Sequence, residues 1–316
     1  MSIAAVFPGQ GSQSVGMLAG LLATEPAATA ALAEAGEVLG YDLAALLRDG
    51  PAERLNQTEI TQPAMLAAGV AAWRAWQARG GGMAAAMAGH SLGEYTALVC
   101  AGALDFADAL RIVQLRGRRM QEAVPAGAGA VAAVLGLDDD AVRAACAAAA
   151  AEGGVVEAVN FNAPGQVVIA GDAAAVGRAI EHARAAGARR AMPLPVSVPV
   201  HCALMTPVGA QLQEALAAIE IKPPQVPVYH NIDATPRAAA DDIRAALARQ
   251  VHSPVRWVEC VQAMQRAGAT MMVEYGPGKV LCGLARRIDR ALDALPVEDA
   301  DTLAAALEAT GGAQHA

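Results

Sequence analysis

Met83-Ala84-Ala85-Ala86-Met87-Ala88-Gly89-His90-Ser91-Leu92-Gly93-Glu94-Tyr95 begins as a short apolar run, crosses two glycines that bracket a serine, and leads into a segment of helical character ending near residue 101. The run 83–88 is too short for an average helix and breaks at Gly89, so the stretch reads as strand, sharp turn, helix. A G-x-S-x-G elbow needs that context: the serine sits on a tight strand-to-helix turn, and glycines on either side let the backbone pack without side-chain clashes. The chain contains six serines, so chance is a weak account of the match. A glycine turn with no chemical role is the alternative.

The pattern on either side of this stretch is α/β. Residues 3–7 form a buried strand ended by Pro8-Gly9-Gln10-Gly11-Ser12, helical patterns run to residue 45, and a further helix covers 62–78. Another helix is predicted over 105–122, with Ala109, Ile112, Val113 and Met120 on its apolar face. Ala126-Gly127-Ala128-Gly129 then looks like a hinge. Strand 130–135, helix 138–151, strands 155–160 and 166–170, helix 173–186 and strand 189–196 give the order βαββαβ, which matches a ferredoxin-like unit. Beyond it come a helix at 205–218, a strand at 226–229, helices at 239–250 and 254–266, a final strand at 270–274, and a helix over 280–290. The tail 311–316 is expected to fray. The expected fold is thus a large α/β-hydrolase-like domain with a parallel sheet, made from 1–124 and 197–316, plus a small inserted ferredoxin-like domain at 125–196.

Composition excludes several classes. A formal charge of −8 argues against general nucleic-acid binding, which needs a basic surface to release phosphate counterions. Two local basic stretches, Arg111/Arg116/Arg118/Arg119 and Lys279/Arg286/Arg287, read first as solvated helix faces. No apolar run reaches the roughly 18 residues of a membrane span, and the first residues lack a basic leader, so a soluble cytoplasmic protein is expected. The five cysteines (Cys100, Cys146, Cys202, Cys260, Cys282) are scattered and unpaired with histidines at ligand spacing, which predicts reduced thiols and no metal site.

A serine hydroxyl is a poor nucleophile until a base and oxyanion donors are supplied. His90 adjoins Ser91 and should point to the opposite face, while His182 and His315 read as surface residues. His201, His230 and His252 all stay open as the base. No aspartate or glutamate presents itself as a third member.

Five stretches together resemble one family, the malonyl-CoA:acyl carrier protein transacylases of bacterial fatty-acid synthesis: Phe7-Pro8-Gly9-Gln10-Gly11-Ser12-Gln13, Gly89-His90-Ser91-Leu92-Gly93-Glu94-Tyr95, Asn160-Phe161-Asn162-Ala163-Pro164-Gly165-Gln166, Val198-Pro199-Val200-His201 and Tyr275-Gly276-Pro277-Gly278-Lys279-Val280-Leu281. The resemblance spans nearly the whole chain. It implies Ser91 as nucleophile, His201 as base, the main-chain carbonyl of Gln250 as the group that orients His201, and the amides of Gln10 and Leu92 as the oxyanion hole. It further implies Arg116 as the partner of the malonate carboxylate, and Asn160 as a substrate contact. Malonyl-CoA is then the substrate, and the acceptor is the phosphopantetheine thiol of an acidic acyl carrier protein, with no permanently bound cofactor and a monomeric enzyme. Val200 departs from the serine often found there. Rival readings are a discrete acyltransferase serving a polyketide synthase, a serine esterase or thioesterase, which has no use for Arg116, and a non-catalytic carrier-binding subunit, which has no use for the dyad. Gly276-Pro277-Gly278 reads as a plain turn at least as well as a substrate contact.

Overall fold

The computed structural model describes residues 2–125, 127–196 and 198–311. Among these, the strands in chain order are β1 (Ile3–Phe7), β2 (Ala86–Gly89), β3 (Gly129–Leu135), β4 (Val156–Ala163), β5 (Gln166–Asp172), β6 (Arg190–Pro193), β7 (Val228–Tyr229), β8 (Met271–Tyr275) and β9 (Asp293–Val297). Parallel pairing joins five of them in the spatial order β7-β2-β1-β8-β9. The other four form an antiparallel sheet in the order β4-β5-β3-β6. The chain therefore has an α/β fold with one parallel and one small antiparallel sheet.

Every residue of β1, β2 and β8 is buried, which is why these strands are continuous apolar runs rather than alternations. Successive side chains still go to opposite faces. Ile3, Ala5 and Phe7 join the core beneath the helix Thr58–Ala78, whereas Ala4 and Val6 join a second core with Trp257, Val261, Leu281 and Leu284. Helices thus cover both faces of the parallel sheet, and the loops at the carboxyl ends of its strands are left to build a site.

In the antiparallel sheet, the helices Asp139–Ala151 and Ala173–Ala185 pack on one face through Val142, Cys146, Val176 and Ile180. The first is capped by Asp138, whose carboxylate accepts from the amide of Ala141 at 2.7 Å. The opposite face sets Val131, Val159, Val168 and Ala170 against Cys202, the neighbour of His201. Main-chain hydrogen bonds from Phe161 to the carbonyl of Val255 (2.9 Å) and from Val255 to the carbonyl of Val159 (2.8 Å) tie β4 to the rest of the molecule. Residues from both units line one cleft.

The sequence expectation of a last strand at 270–274 is incomplete. β9 follows it, and so does the helix Ala300–Thr310. β9 carries Asp293 and Pro296 and is only partly buried because it is the edge of the sheet, where a missing N–H is tolerated. The last helix starts with a capping box between Asp299 and Thr302. Some bounds also differ: β7 is two residues long, β6 ends at Pro193, β4 runs on to Ala163, and the helix expected from 254 starts at Trp257. Of the expected hinge, Gly127 has the left-handed φ of 80° and Ala126 lies outside the described residues. The tail 312–316, with His315, also lies outside them. The five cysteines are all free, and among the described residues no helix is long and apolar enough to cross a membrane.

Candidate active site

β2 delivers the elbow. His90 donates its amide to the carbonyl of Phe7 at 3.0 Å, closing the strand end, and Gly93 donates to the carbonyl of His90 at 2.9 Å, opening the helix Gly93–Cys100. Between them Ser91 takes φ 52°, a left-handed conformation that strains a residue with a side chain. Both flanking glycines are obligatory. A Cβ on Gly89 would lie 1.8 Å from the backbone of Gly93, and one on Gly93 would lie 2.1 Å from the carbonyl oxygen of Phe7.

The tight turn aims Ser91 Oγ at His201, whose Nε2 is 2.7 Å away. The other ring nitrogen, Nδ1, is 2.8 Å from the main-chain oxygen of Gln250. A carbonyl can only accept, so Nδ1 carries the proton and Nε2 presents its lone pair to the serine. Burial first, and then the charge of Arg116, lower the His201 imidazole from 6.5 to about 3, with the bond to Gln250 acting the other way. The ring is therefore neutral near pH 7.

The rival histidines go elsewhere. His90 lies 2.7 Å from Asn162 Oδ1 through Nε2, and burial holds it below the usual imidazole range. His230 is buried against Glu94 at 2.7 Å, His252 packs its ring on Gly209, and His182 meets Glu152 on the surface at 2.6 Å.

Arg111, Arg118 and Arg119 form surface pairs with Asp108, Glu59 and Glu122. Arg116 does not share that face: it is 1% exposed and reaches into the cleft. Its protein partners are neutral, Gln62 Oε1 at 2.9 Å, Gln250 Oε1 at 3.1 Å and Ser91 Oγ at 3.3 Å. Its Nε–H has none. Burial lowers its pKa, while Tyr95 and Glu94 act in the opposite direction. A guanidinium has five N–H donors and three are engaged here, so Arg116 sets a buried positive charge with donor capacity to spare beside the nucleophile.

The cavity in front of Ser91 has a volume of about 600 Å³. Gln10, Leu92, Asn160 and Val200 all line it. Ser91's own amide is taken by Asn231 Oδ1 at 2.7 Å. Among the described residues no protein acceptor takes the amide of Gln10 or Leu92, which leaves these two N–H groups available near the serine. Asn160 Oδ1 is buried with no partner. Gly276-Pro277-Gly278 is a turn in which the Gly278 amide already donates to Glu298 at 2.9 Å.

Sequence reasoning gave no role to Gln62, Asn162, Asn231 or the carboxylate of Glu94. Asn231 follows β7 at the carboxyl edge of the parallel sheet, where ligands collect in such folds, and that position was the available signal.

An α/β fold whose elbow serine is bonded to a neutral histidine, with free amides and a buried cation around a cavity, fits the class of acyltransferases. The model of the acyl transferase domain matches residues 5–305. The malonyl CoA-acyl carrier protein transacylase of Escherichia coli (strain K12) is 56% identical over 303 residues, covering 96% of this chain and 98% of that protein. An acyl carrier protein S-malonyltransferase from Vibrio cholerae superimposes with a TM-score of 0.94 at 55% identity, over 96% of this chain and 99% of the other. A malonyl-transacylase solved in complex with a type II PKS acyl-carrier protein gives a TM-score of 0.96 at 52% identity, over 98% and 100% of the two chains. The chain belongs to the malonyl CoA-acyl carrier protein transacylase family.

Proposed function

We propose that the protein transfers the malonyl group of malonyl-CoA to the phosphopantetheine thiol of an acyl carrier protein, supplying fatty-acid synthesis, through a malonyl ester on Ser91. The observation that carries this is the placement of Arg116 Nη2 3.3 Å from Ser91 Oγ while the same oxygen is 2.7 Å from His201 Nε2. An acyl group attached to that oxygen carries its free carboxylate into the reach of the guanidinium.

Ser91 Oγ forms a bond to the thioester carbon as its proton passes to His201 Nε2. The carbonyl oxygen becomes an oxyanion and takes the amides of Gln10 and Leu92; losing one such donor costs about 10²- to 10³-fold in rate. Collapse breaks the carbon–sulfur bond, and the coenzyme A thiolate leaves with the proton from Nε2. The carrier thiol then gives its proton to Nε2 and attacks the ester carbon, and Ser91 Oγ recovers the proton as it departs. Through both halves the carbonyl of Gln250 holds Nδ1–H and supports the transient imidazolium. Asn160 Oδ1, buried and unpartnered at the cavity wall, is read as a contact for the pantetheine amides.

Each proton and each developing charge has a group of this chain assigned to it, which supports a reaction with no resident cofactor. The same reading takes the protein as a cytoplasmic monomer, its acceptor as an acidic carrier, and 125–196 as a small inserted domain that closes the cleft against water. The separate antiparallel sheet supports the last of these.

Incubation with malonyl-CoA followed by intact-mass measurement tests the function. The expected adduct is one malonyl group, absent from Ser91→Ala and discharged by carrier thiol. An unmodified mass for the unaltered protein, under conditions where coenzyme A is retained in solution, refutes it.

A further inference from the structure

Beneath the nucleophile lies a carboxylate that the transfer steps do not use. Glu94, in the first turn of the elbow helix, is 0% exposed. Burying such a group is unfavourable unless donors surround it, and an apolar residue would fill the space with no such requirement. Glu94 has donors on both oxygens. Oε1 is 2.7 Å from His230 Nδ1, and Oε2 accepts from the amide of Asn231 at 2.8 Å and from Gln250 Nε2 at 3.0 Å.

The two residues held on Oε2 in turn grip the elbow. Asn231 accepts from the amide of Ser91 at 2.7 Å and donates to the carbonyl of Gly89 at 2.8 Å. Gln250 Nε2 also donates to the carbonyl of Ser91 at 2.9 Å, while its Oε1 accepts from Arg116 Nη2 at 3.1 Å. The Ser91 carbonyl also accepts from the amide of Glu94 at 3.1 Å, whereas the Ser91 amide and the Gly89 carbonyl, on either side of the left-handed turn, are satisfied by the side chain of Asn231. The orientation of the Gln250 amide is fixed as well. Reversed, it would set donor against the guanidinium and acceptor against both Glu94 and the Ser91 carbonyl.

We infer that Glu94 is a positioning residue: by pinning the side-chain amide of Gln250 it locks the nucleophile's turn and the carboxylate-binding Arg116 to one another, so that attack geometry and selection for an acidic acyl group are set by one buried anchor. This rests on the function proposed above. Glu94 does not touch His201 and is no third member of a triad; His201 bonds the main chain of Gln250, whereas Glu94 acts on its side chain.

The test uses Glu94→Gln, Gln250→Met and the double variant of the full chain. Gln250→Met keeps the main-chain carbonyl for His201 and close to the original length, and loses the amide. Acylation by malonyl-CoA and by acetyl-CoA is measured as kcat/KM, together with the phosphonylation rate of Ser91 by a small neutral fluorophosphonate, and thermal unfolding reports folding. Misplacing reacting groups by about 1 Å costs about 10²-fold. Each single variant should therefore lose about 10- to 100-fold with malonyl-CoA, and the ratio of malonyl to acetyl rates should fall about tenfold. The double variant should lose no more than the worse single one, since both changes break the same bond. Losses that multiply in the double variant, or an unchanged malonyl-to-acetyl ratio in folded Gln250→Met, overturn the inference. If Glu94→Gln does not fold, the ratio in Gln250→Met decides alone. If the unaltered protein takes up no malonyl group, the function fails instead. The phosphonylation rates then judge the anchor: slower in the variants supports it, equal to the parent refutes it.

Discussion

Replacing Arg116 by methionine keeps most of the buried volume and deletes the guanidinium, which isolates what that charge does for the acyl group. Two charge-assisted hydrogen bonds to a carboxylate contribute about 1.5–3 kcal/mol each. Coulomb's law gives about 4 kcal/mol for unit charges about 4 Å apart at an effective dielectric constant of about 20. The two routes agree on roughly 4 kcal/mol, or about 10³-fold in kcat/KM for malonyl-CoA. Acetyl-CoA should behave oppositely. In the unaltered protein its methyl group faces a buried, unpaired cation, so the variant should accept it as well as before, or up to about tenfold better. Gln62 and Gln250 lose their donor in the variant, but that cost falls on both substrates equally. The ratio of the two rates is therefore the clean quantity, measured by single-turnover release of coenzyme A from each thioester. A shift of about 10³-fold in that ratio is expected. Equal losses with both thioesters would show that Arg116 merely holds the site together and that the argument for malonate is wrong.

Because His201 is lowered to about 3, mainly by burial, kcat/KM for acylation should show no acid limb near 6.5, the ordinary imidazole value; an inflection there, followed by rapid-mixing assays across pH, contradicts the assignment. The sign for stability follows from the same shift. The unfolded chain binds a proton as pH falls through 6.5 and the folded one does not until about 3, so the contribution of His201 is intact above 6.5 and is progressively lost between those values, which thermal unfolding would record. Ser91→Gly relieves the left-handed strain at φ 52°, which Ser91→Ala retains, so the glycine variant should be more stable than the alanine one by about 1 kcal/mol, or about 2 °C in Tm. Identical melting of the two would mean that the turn is unstrained. Arg287 bonds Gln166 at the cleft wall, and Arg286 is exposed beside it. Charge reversal at both should slow transfer to an acidic carrier by about tenfold at low salt while sparing acylation by malonyl-CoA; unchanged carrier kinetics would exclude that face.

What was legible in the sequence was local. The elbow could be read because Gly89 and Gly93 answer a steric demand within five residues, and the antiparallel sheet could be read because two well-marked helices separate β3 from β4 and β5 from β6. β9 escaped because a proline and an acidic residue disguise an edge strand. The base could not be chosen among His201, His230 and His252 by local pattern, since the contact to Ser91 spans 110 residues of chain. Gln250 acts on His201 through its main chain, which no side-chain pattern advertises. Arg116 was more accessible than it looked. It shares a helical stripe with Ile112, Val113, Gly117 and Met120, all buried, while Arg111, Arg118 and Arg119 fall on the wet side. Gly117 on that stripe allows the helix to press against Thr58, since a Cβ there would sit 2.5 Å from its carbonyl, and this brings Gln62 to Arg116.

The missing acid and the buried arginine belong to one electrostatic design. A carboxylate on Nδ1 of His201 would raise its basicity and would also place a second carboxylate, in addition to Glu94, next to the base, where it would repel a negative acyl group. A main-chain carbonyl orients the ring without adding a charge. Among the described residues Arg116 bonds no carboxylate directly, although Glu94 acts on it from the far side of Gln250, and its charge is the second cause of the low proton affinity of His201. A malonyl carboxylate paired with Arg116, as proposed, would offset this effect. A plain acyl chain would not, so the cation proposed to select the acyl group is also one that weakens His201 as a proton acceptor until that group is bound.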